Sequence, residues 1–183
     1  MEPIIIPIDE RLKGAGSALP ISGHIDQSGY SLGEHEFSLP DGIDYDLVLT
    51  NAGEGILASG MVRTHVVGTC DRCLERAEFD IASEVDEYFL FEAPAEDELG
   101  DDEDEVDYSL VGDDDAIDLA GPIMAAILME TPYVVLCRED CKGLCPTCGA
   151  NLNEGDCGCA AKHAEQAASS NPFSKLKDLN LGE

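Results

Sequence analysis

Six of the eight cysteines lie within 23 residues of one another, and the other two form a separate pair upstream. The clustered six are Cys137, Cys141, Cys145, Cys148, Cys157 and Cys159, and the upstream pair is Cys70 and Cys73. Thiolates packed this densely repel one another unless a soft cation or a disulfide neutralises them. The cysteines therefore predict either a metalloprotein of a reducing compartment or a disulfide scaffold of a secreted protein.

The N-terminal segment favours the reducing compartment. Residues 1–10 contain no positively charged region, and their apolar stretch is too short for a signal peptide. No apolar run approaches the roughly 18 residues that a membrane span requires. We therefore expect a cytoplasmic protein without membrane contact. Its thiols would stay reduced, which makes the disulfide scaffold the less favoured class.

The segment from Cys145 to Gly149 has the form of a metal knuckle. Pro146 stiffens the turn, and Gly149 permits the positive φ with which the chain folds back. Four thiolates around Zn²⁺, at about 2.3 Å, make a closed tetrahedral site that is structural and not catalytic. Iron in a rubredoxin-like site is the chemical alternative, because the same knuckle serves both metals. Zinc is favoured as the usual occupant of purely structural sulfur sites.

The eight cysteines divide into two groups of four, which predicts two zinc ions. The first group is Cys145, Cys148, Cys157 and Cys159. The second group is Cys137 and Cys141 together with Cys70 and Cys73. A single ion is the alternative, with Cys70 and Cys73 as free thiols at a turn and Cys137 as a small buried hydrophobic residue.

Alternating polar and apolar residues predict the strands that position the upstream pair. One alternating run begins at Ile43, and an extended run covers Ile56 to Val67. A further alternating run reaches Phe91, and the last two runs meet at Cys70-Asp-Arg-Cys73, as in a long antiparallel hairpin with cysteines at its tip. In residues 1–42, rich in proline and glycine, we expect one strand at Ile4–Ile6 followed by irregular structure.

The predicted fold class is α+β. It comprises an antiparallel β-meander or partly open barrel at residues 1–91, one central helix, and a cysteine-rich zinc-binding C-terminal module. The helix is expected near Asp118–Glu130, within a domain at 116–160 that also holds the zinc module. The tail at 161–183 is expected to form a short amphipathic helix with Phe173, Leu176 and Leu179 on one face.

The formal net charge of −29 limits the partners that the chain can bind. Residues 92–115 hold 13 acidic residues and no Lys or Arg, which predicts a flexible, solvated loop. A docking strip for a basic protein or a nucleic-acid mimic is the alternative for that loop. A surface this negative repels phosphate backbones, so RNA contact requires a local basic patch.

Residues 131–183 are the candidate for that patch, because they carry 5 basic and 7 acidic side chains. The basic residues are Arg138, Lys142, Lys162, Lys175 and Lys177. Phe173, Leu176 and Leu179 could instead dock in a partner groove or pack on their own domain. The chain has no nucleophile elbow, P-loop or dinucleotide fingerprint, so we expect no enzyme and no small-molecule substrate.

Several motifs together resemble the bacterial YceD family, also called the large ribosomal RNA subunit accumulation protein. They are Thr69-Cys-Asp-Arg-Cys-Leu74, Ile117-Asp-Leu119, the run from Leu136 to Asn153 followed by Cys157-Gly-Cys159, and Asn171-Pro-Phe-x-x-Leu-x-x-Leu179. The resemblance covers the chain from about residue 43 onward, and the cysteine-rich segment is its most specific part.

The resemblance implies a non-enzymatic cytoplasmic protein that supports accumulation of large-subunit ribosomal RNA and ribosome assembly. Its partner would be that RNA or a ribosomal protein. Two other classes stay open. One is a zinc-ribbon adaptor that binds a basic, ribosomal protein through the acidic loop, and the other is a rubredoxin-like electron carrier.

Overall fold

The computed structural model describes residues 1–93 and 109–162. These residues form nine strands and a helix, α1. The strands are β1 Ile5–Pro7, β2 Ala18–Ile25, β3 Gly29–Leu32, β4 His35–Ser38, β5 Ile43–Asn51, β6 Gly55–Thr69, β7 Arg76–Leu90, β8 Ser109–Leu110 and β9 Ala116–Asp118, and the helix is Ala120–Glu130.

The described residues fall into two compact units. The first, which we call the sheet unit, comprises Met1–Gly68 and Glu78–Tyr133. The second, the cysteine-rich unit, comprises Thr69–Ala77 and the described residues from Val134 onward. The domain boundaries expected from the sequence stay a prediction.

A mostly antiparallel sheet of seven strands forms the larger part of the structure. Its order is β2-β5-β6-β4-β3, and β7 pairs with β6 and, in parallel, with β8. Within the described residues, β2, β3 and β8 each pair with one strand, so the sheet has free edges. The expected antiparallel sheet is confirmed, with β5, β6 and β7 as a meander, whereas the sheet stays open and does not close into a barrel.

The core of the sheet unit follows from the alternation of apolar residues. Five aliphatic residues of β5, β6 and β7 are at most 4% exposed and lie on the inner face of the sheet. They are Leu47, Ile56, Val62, Val66 and Ile81. Burying one such aliphatic side chain stabilises the fold by about 1.5–3 kcal/mol. On β7 the predicted apolar face is confirmed, since every second residue from Ala77 to Val85 is buried or half-buried.

The N-terminal region differs from the irregular structure expected after the first strand. β2, β3 and β4 occupy most of the segment before Ile43, and β2 pairs with β5 from Ala18 opposite Thr50 to Ile25 opposite Ile43. Proline is tolerated at position 20 because β2 is a free edge of the sheet, where a missing N–H breaks no ladder bond. Pairing with β5 thus overrides the weak local signal.

Helix α1 begins two residues later than predicted, because Ala116–Asp118 form β9 and pair with β1. The Asp118 carboxylate accepts the N–H groups of Ala120 at 2.9 Å and Ile4 at 2.8 Å, which places it at the start of the helix. The helix ends at Glu130, and Thr131 and Pro132 follow, as the sequence predicts.

Two expectations fall partly or wholly outside the described residues. Of the acidic segment, residues 94–108 are not described, whereas Ser109–Leu110 form β8 and pair with β7. The tail after Lys162 also lies outside the described part, and with it Phe173, Lys175, Leu176, Lys177 and Leu179.

Candidate metal centres

All eight cysteines lie in the described residues, and their sulfur atoms gather into two groups of four. Site 1 is Cys70, Cys73, Cys137 and Cys141, and site 2 is Cys145, Cys148, Cys157 and Cys159. Within each group all sulfurs lie within 4.8 Å of one another, and every cysteine is a free thiol. The two sets equal the division predicted from the sequence, and their role as metal ligands stays a prediction.

Site 1 joins two distant parts of the chain. Cys70 and Cys73 come from the loop between β6 and β7, where the Leu74 N–H closes a turn on the Cys70 carbonyl at 2.9 Å. Cys70 Sγ lies 3.8 Å from Cys141 Sγ, and Cys73 Sγ lies 3.6 Å from Cys137 Sγ. The partners in these two contacts are 71 and 64 residues apart in sequence, so this site depends on tertiary structure.

Backbone hydrogen bonds hold the two segments of site 1 in register. Asp71 donates its N–H to the Val135 carbonyl at 2.8 Å, and its carboxylate accepts the Val135 N–H at 2.7 Å. The Arg72 guanidinium donates to the carbonyl of Cys141 at 2.9 Å, and the Arg72 carbonyl accepts the N–H of Leu144 at 2.9 Å. The two residues between Cys70 and Cys73 therefore position the opposite pair of ligands.

Site 2 is local, since its four cysteines lie within 15 residues. The Gly149 N–H donates to the Cys145 carbonyl at 2.8 Å, and Gly149 has a φ of 73°. Gly158, between the last two cysteines, also has a φ of 73°, and its N–H donates to the Asp156 carboxylate at 2.8 Å. Glycine reaches this left-handed conformation without the steric cost of a side chain.

The sulfur geometry fits a tetrahedral metal ion. A metal bound by four thiolates at about 2.3 Å places the sulfurs about 3.8 Å apart along each tetrahedral edge. In site 1, the Cys73–Cys137 and Cys70–Cys141 sulfur distances, at 3.6 and 3.8 Å, match this spacing. They are far longer than the roughly 2.05 Å of a disulfide bond.

Hydrogen bonds favour the thiolate form of one cysteine in each knuckle. Burial opposes ionisation of Cys70, but backbone N–H groups of Cys137, Cys73 and Arg72 lower its pKa to about 6. The backbone N–H groups of Cys148 and Thr147 likewise lower the pKa of Cys145 to about 6. Such N–H···S contacts stabilise the charged ligand that a metal requires.

Two other sulfurs, those of Cys137 and Cys159, resist ionisation. Burial and the neighbouring thiols of Cys73, Cys141 and Cys70 raise the pKa of Cys137 to about 12. The thiols of Cys148 and Cys157 do the same for Cys159, whose pKa is also about 12. Four thiols within 4.8 Å of one another cannot all ionise without a cation, because the resulting thiolates repel one another. A divalent ion among them offsets that repulsion.

Asn153 and Asn151 form a second layer that the sequence analysis missed. The Asn153 side chain donates to Cys141 Sγ at 3.4 Å and accepts the Lys142 N–H at 2.8 Å. The Asn151 side chain accepts the Asn153 N–H at 3.0 Å and donates to Glu75 at 2.8 Å. The signal available was the Asn-Leu-Asn run after the second knuckle, since asparagine commonly bonds its own nearby backbone.

The two sites differ in their access to solvent. In site 1, Cys70, Cys73 and Cys141 are at most 3% exposed. In site 2, Cys148 is exposed, and a cavity of about 370 Å³ is lined by the sulfur-bearing residues Cys145, Cys157 and Cys159. A reagent in solvent therefore reaches the sulfurs of site 2 more easily than those of site 1.

Of the predicted binding residues outside the cysteines, only Lys142 lies in the described part of the chain. It is exposed and directly follows Cys141 in the cysteine-rich unit. The described part of the chain contains no helix with the length and apolar character needed to span a bilayer.

Comparisons with known proteins identify the family. The model of the family described as large ribosomal RNA subunit accumulation protein YceD matches residues 58–180. An uncharacterised protein of Mycobacterium tuberculosis is 39% identical over 110 residues, which is 60% of this chain and 51% of that protein. An uncharacterised protein of Mycobacterium leprae is 32% identical over 110 residues, again 60% of this chain and 49% of that protein.

A named relative comes from a plant. The large ribosomal RNA subunit accumulation protein YCED homolog 1, chloroplastic, of Zea mays is 34% identical over 131 residues, covering 58% of this chain and 44% of that protein. The chain spans about half the length of the curated relatives it matches. No solved structure shows a significant match. The family match covers more than half of the chain and includes all eight cysteines, so the chain belongs to the YceD family, the large ribosomal RNA subunit accumulation proteins.

Proposed function

We propose that this chain is a non-enzymatic cytoplasmic accessory protein that supports accumulation of large-subunit ribosomal RNA, and that two structural zinc ions hold its cysteine-rich unit in shape. The observation that carries the metal part is the gathering of eight sulfurs into two groups of four, each within 4.8 Å. The family membership and the name of the maize relative support the ribosomal part.

Zinc is the favoured ion because, among the described residues, each site gathers four cysteine sulfurs and no His, Asp or Glu ligand atom. Four protein ligands fill a tetrahedral ion completely, which leaves no position for a substrate or an activated water. Bound zinc would supply the positive charge that neutralises four thiolates. Binding energies of about 10–16 kcal/mol would then stabilise a unit that has few buried aliphatic residues of its own.

The distribution of charge decides which unit can approach RNA. Among described residues, the sheet unit carries 3 Lys or Arg against 21 Asp or Glu, whereas the cysteine-rich unit carries 5 against 6. Phosphate backbones are repelled by the first surface and much less by the second. We therefore propose that any direct RNA contact is made by the cysteine-rich unit, with the exposed Lys142 as a contact and Lys175 and Lys177 as further candidates in the tail.

Metal analysis tests the first part of the proposal. Protein purified under reducing conditions should contain two zinc ions per chain and be colourless. Iron with visible absorption would instead support the rubredoxin-like carrier. One zinc per chain, with Cys70 and Cys73 freely alkylated in the folded protein, would overturn the two-site assignment.

Depletion of the chain in growing cells tests the second part. The ratio of large-subunit to small-subunit ribosomal RNA should fall, and the wild-type chain should restore it. Cys141→Ser and Cys148→Ser should fail to restore it, whereas Ser31→Ala, at an exposed position of β3 in the sheet unit, should succeed. An unchanged ratio after depletion would contradict the proposed function. Crosslinking of the tagged chain, followed by RNA and protein sequencing, would show which ribosomal component it touches.

A further inference from the structure

One face of the sheet unit is exposed to solvent over four adjacent strands, β2, β5, β6 and β7, and we call it the outer face. The strand pairing defines it, because residues directly opposite one another share a face. Two rows across it are Pro20–Val48–Ser59 and Ser22–Asp46–Met61. The opposite face carries the buried core, including Leu47 and Val62.

The centre of the outer face is apolar. Val48 is 38% exposed and Leu57 is 36% exposed, although both are large hydrophobic residues. Pro20 lies directly opposite Val48, and Leu57 and Met61 lie on the two diagonals from Val48. Diagonal neighbours of this kind are within reach of each other's side chains. These four residues form a continuous apolar patch on a strand surface that is usually polar.

Carboxylates on β5 and β7 flank this patch. Asp44 and Asp46 lie on β5, and both are exposed. On β7 the exposed carboxylates alternate with the buried core and are Glu78, Asp80, Glu84 and Asp86. These carboxylates lie on the same face as His65 of β6, because the His65 ring lies 2.8 Å from Asp80 and 3.6 Å from Glu78.

Positive charge on the outer face is sparse. On the four strands the Lys and Arg residues are Arg63, which lies opposite Asp44, and Arg76 at the start of β7. The two histidines, His24 and His65, already contact Asp44 and Asp80, each at 2.7–2.8 Å. The face therefore offers an apolar centre and six carboxylates to whatever binds there.

This chemistry selects one class of partner. An RNA backbone and a second copy of the same face would both bring negative charge against the carboxylates, at a cost of several kcal/mol for close like charges. A cationic polypeptide with apolar side chains complements both the rim and the centre. We propose that the outer face binds a lysine- and arginine-rich segment of a large-subunit ribosomal protein. The identification of the partner as ribosomal rests on the proposed function, whereas the choice of the binding surface does not.

Site-specific crosslinking tests the proposal with the full-length, metal-loaded chain. A photo-reactive phenylalanine derivative replaces Leu57, and the probe is the mixture of protein and RNA obtained by dissociating purified large ribosomal subunits. The control places the same group at Met129, an exposed residue of α1 outside the four strands. We expect position 57, and not position 129, to crosslink to a lysine- and arginine-rich segment that mass spectrometry identifies.

Charge reversal then measures binding to the purified protein so identified. The double variant Asp46→Lys/Glu84→Lys should weaken the affinity for that protein about tenfold, and the loss should be larger at low salt than at high salt. The control Glu2→Lys/Glu130→Lys makes the same change in net charge outside the outer face and should weaken it less than twofold. Equal weakening by the two variants, or crosslinks from position 57 only to RNA or to a second copy, would overturn the proposal.

The outcome is separable from that of the proposed function. If position 57 captures no basic segment while depletion still lowers large-subunit ribosomal RNA, the surface proposal is wrong and the function stands. If position 57 captures a basic segment while depletion leaves that RNA unchanged, the outer face stands as a binding surface and the function is wrong.

Discussion

Leu74 and Gly149 occupy equivalent positions in the two cysteine knuckles. Each follows the second cysteine of a C-x-x-C pair, and their φ angles are 62° and 73°. Each donates its backbone N–H to the carbonyl of the first cysteine, at 2.9 and 2.8 Å. A left-handed conformation costs an L-residue about 1–2 kcal/mol, which glycine avoids. Both sites thus require the same turn, and Leu74 adopts it with its side chain 67% exposed.

Gly149→Ala should lower the free energy of unfolding by about 1 kcal/mol, because alanine must adopt a positive φ there. A Cβ at this position would meet nothing within 4 Å, so the cost lies in the backbone alone. Gly155→Ala is the matched control, since it also has open space around the Cβ but no positive φ. Denaturant unfolding of the metal-loaded proteins measures the free energy of unfolding of each variant. Equal destabilisation would contradict the backbone explanation.

Asn153→Ala should weaken metal binding at site 1 by about 10- to 100-fold, the usual effect of losing a second-layer hydrogen bond. The reason is the loss of the side-chain N–H donated to Cys141 Sγ. Competition with a chromophoric chelator measures the affinity of each site. Glu154→Ala, at the next residue, is the control and should leave both affinities unchanged. A loss confined to site 2 would show that Asn153 does not support site 1.

Chelation should release the ion of site 2 before that of site 1. Cys148 is exposed, whereas Cys70, Cys73 and Cys141 are at most 3% exposed. Timed alkylation after addition of a chelator, with mass mapping of each cysteine, follows the order of loss. The denatured protein provides the reference in which all eight thiols react alike. Simultaneous labelling of both groups would indicate that the two sites open in one cooperative step.

The hydrogen bond between His65 and Asp80 should make stability depend on pH. The bond to the Asp80 carboxylate raises the pKa of His65 above its ordinary 6.5 in the folded chain. A raised folded pKa gives stabilisation that is fully present below about pH 6.5 and is lost as pH rises through the folded value. Chemical unfolding between pH 5.5 and 8.5 measures this slope.

His65→Gln should flatten the slope, and Asp80→Asn should flatten it too. Asp86→Asn removes the same charge from the same strand and serves as the control. A slope as steep in His65→Gln as in the wild type, or an equal reduction in Asp86→Asn, would show that the His65–Asp80 pair is not its cause.

Local patterns predicted the parts of the fold that depend on local signals. The alternation around Ile81 and Val85 predicted the buried face of β7, and the Cys70-x-x-Cys73 spacing placed a pair at the hairpin loop. Pro132 marked the end of α1 because the residue before proline avoids the helical region. The grouping of the cysteines followed from spacing and from counting ligands in fours.

The remaining elements depend on pairing over long distances, which the sequence does not display. β2 contains Pro20 and Gly23, two residues that weaken a strand, and it forms because eight residues of β5 lie beside it. Asp118 was expected at the start of the helix, yet it pairs with Ile5 in β1. Asn153 gave no sign of its bond to Cys141, because the bond depends on how the loop folds back.

Site 1 gives the chain the topology of a closed ring. When a metal ion joins Cys73 to Cys137, which are 64 positions apart, the chain between them forms a loop whose ends cannot separate. Residues 94–108 lie inside that ring, so a single cut there would leave the two fragments tethered through the ion. The entropic cost of closing a flexible loop grows by only about 0.6 kcal/mol for each doubling of its length. A change in the length of the acidic segment would therefore cost little free energy, and site 1 would keep the same geometry.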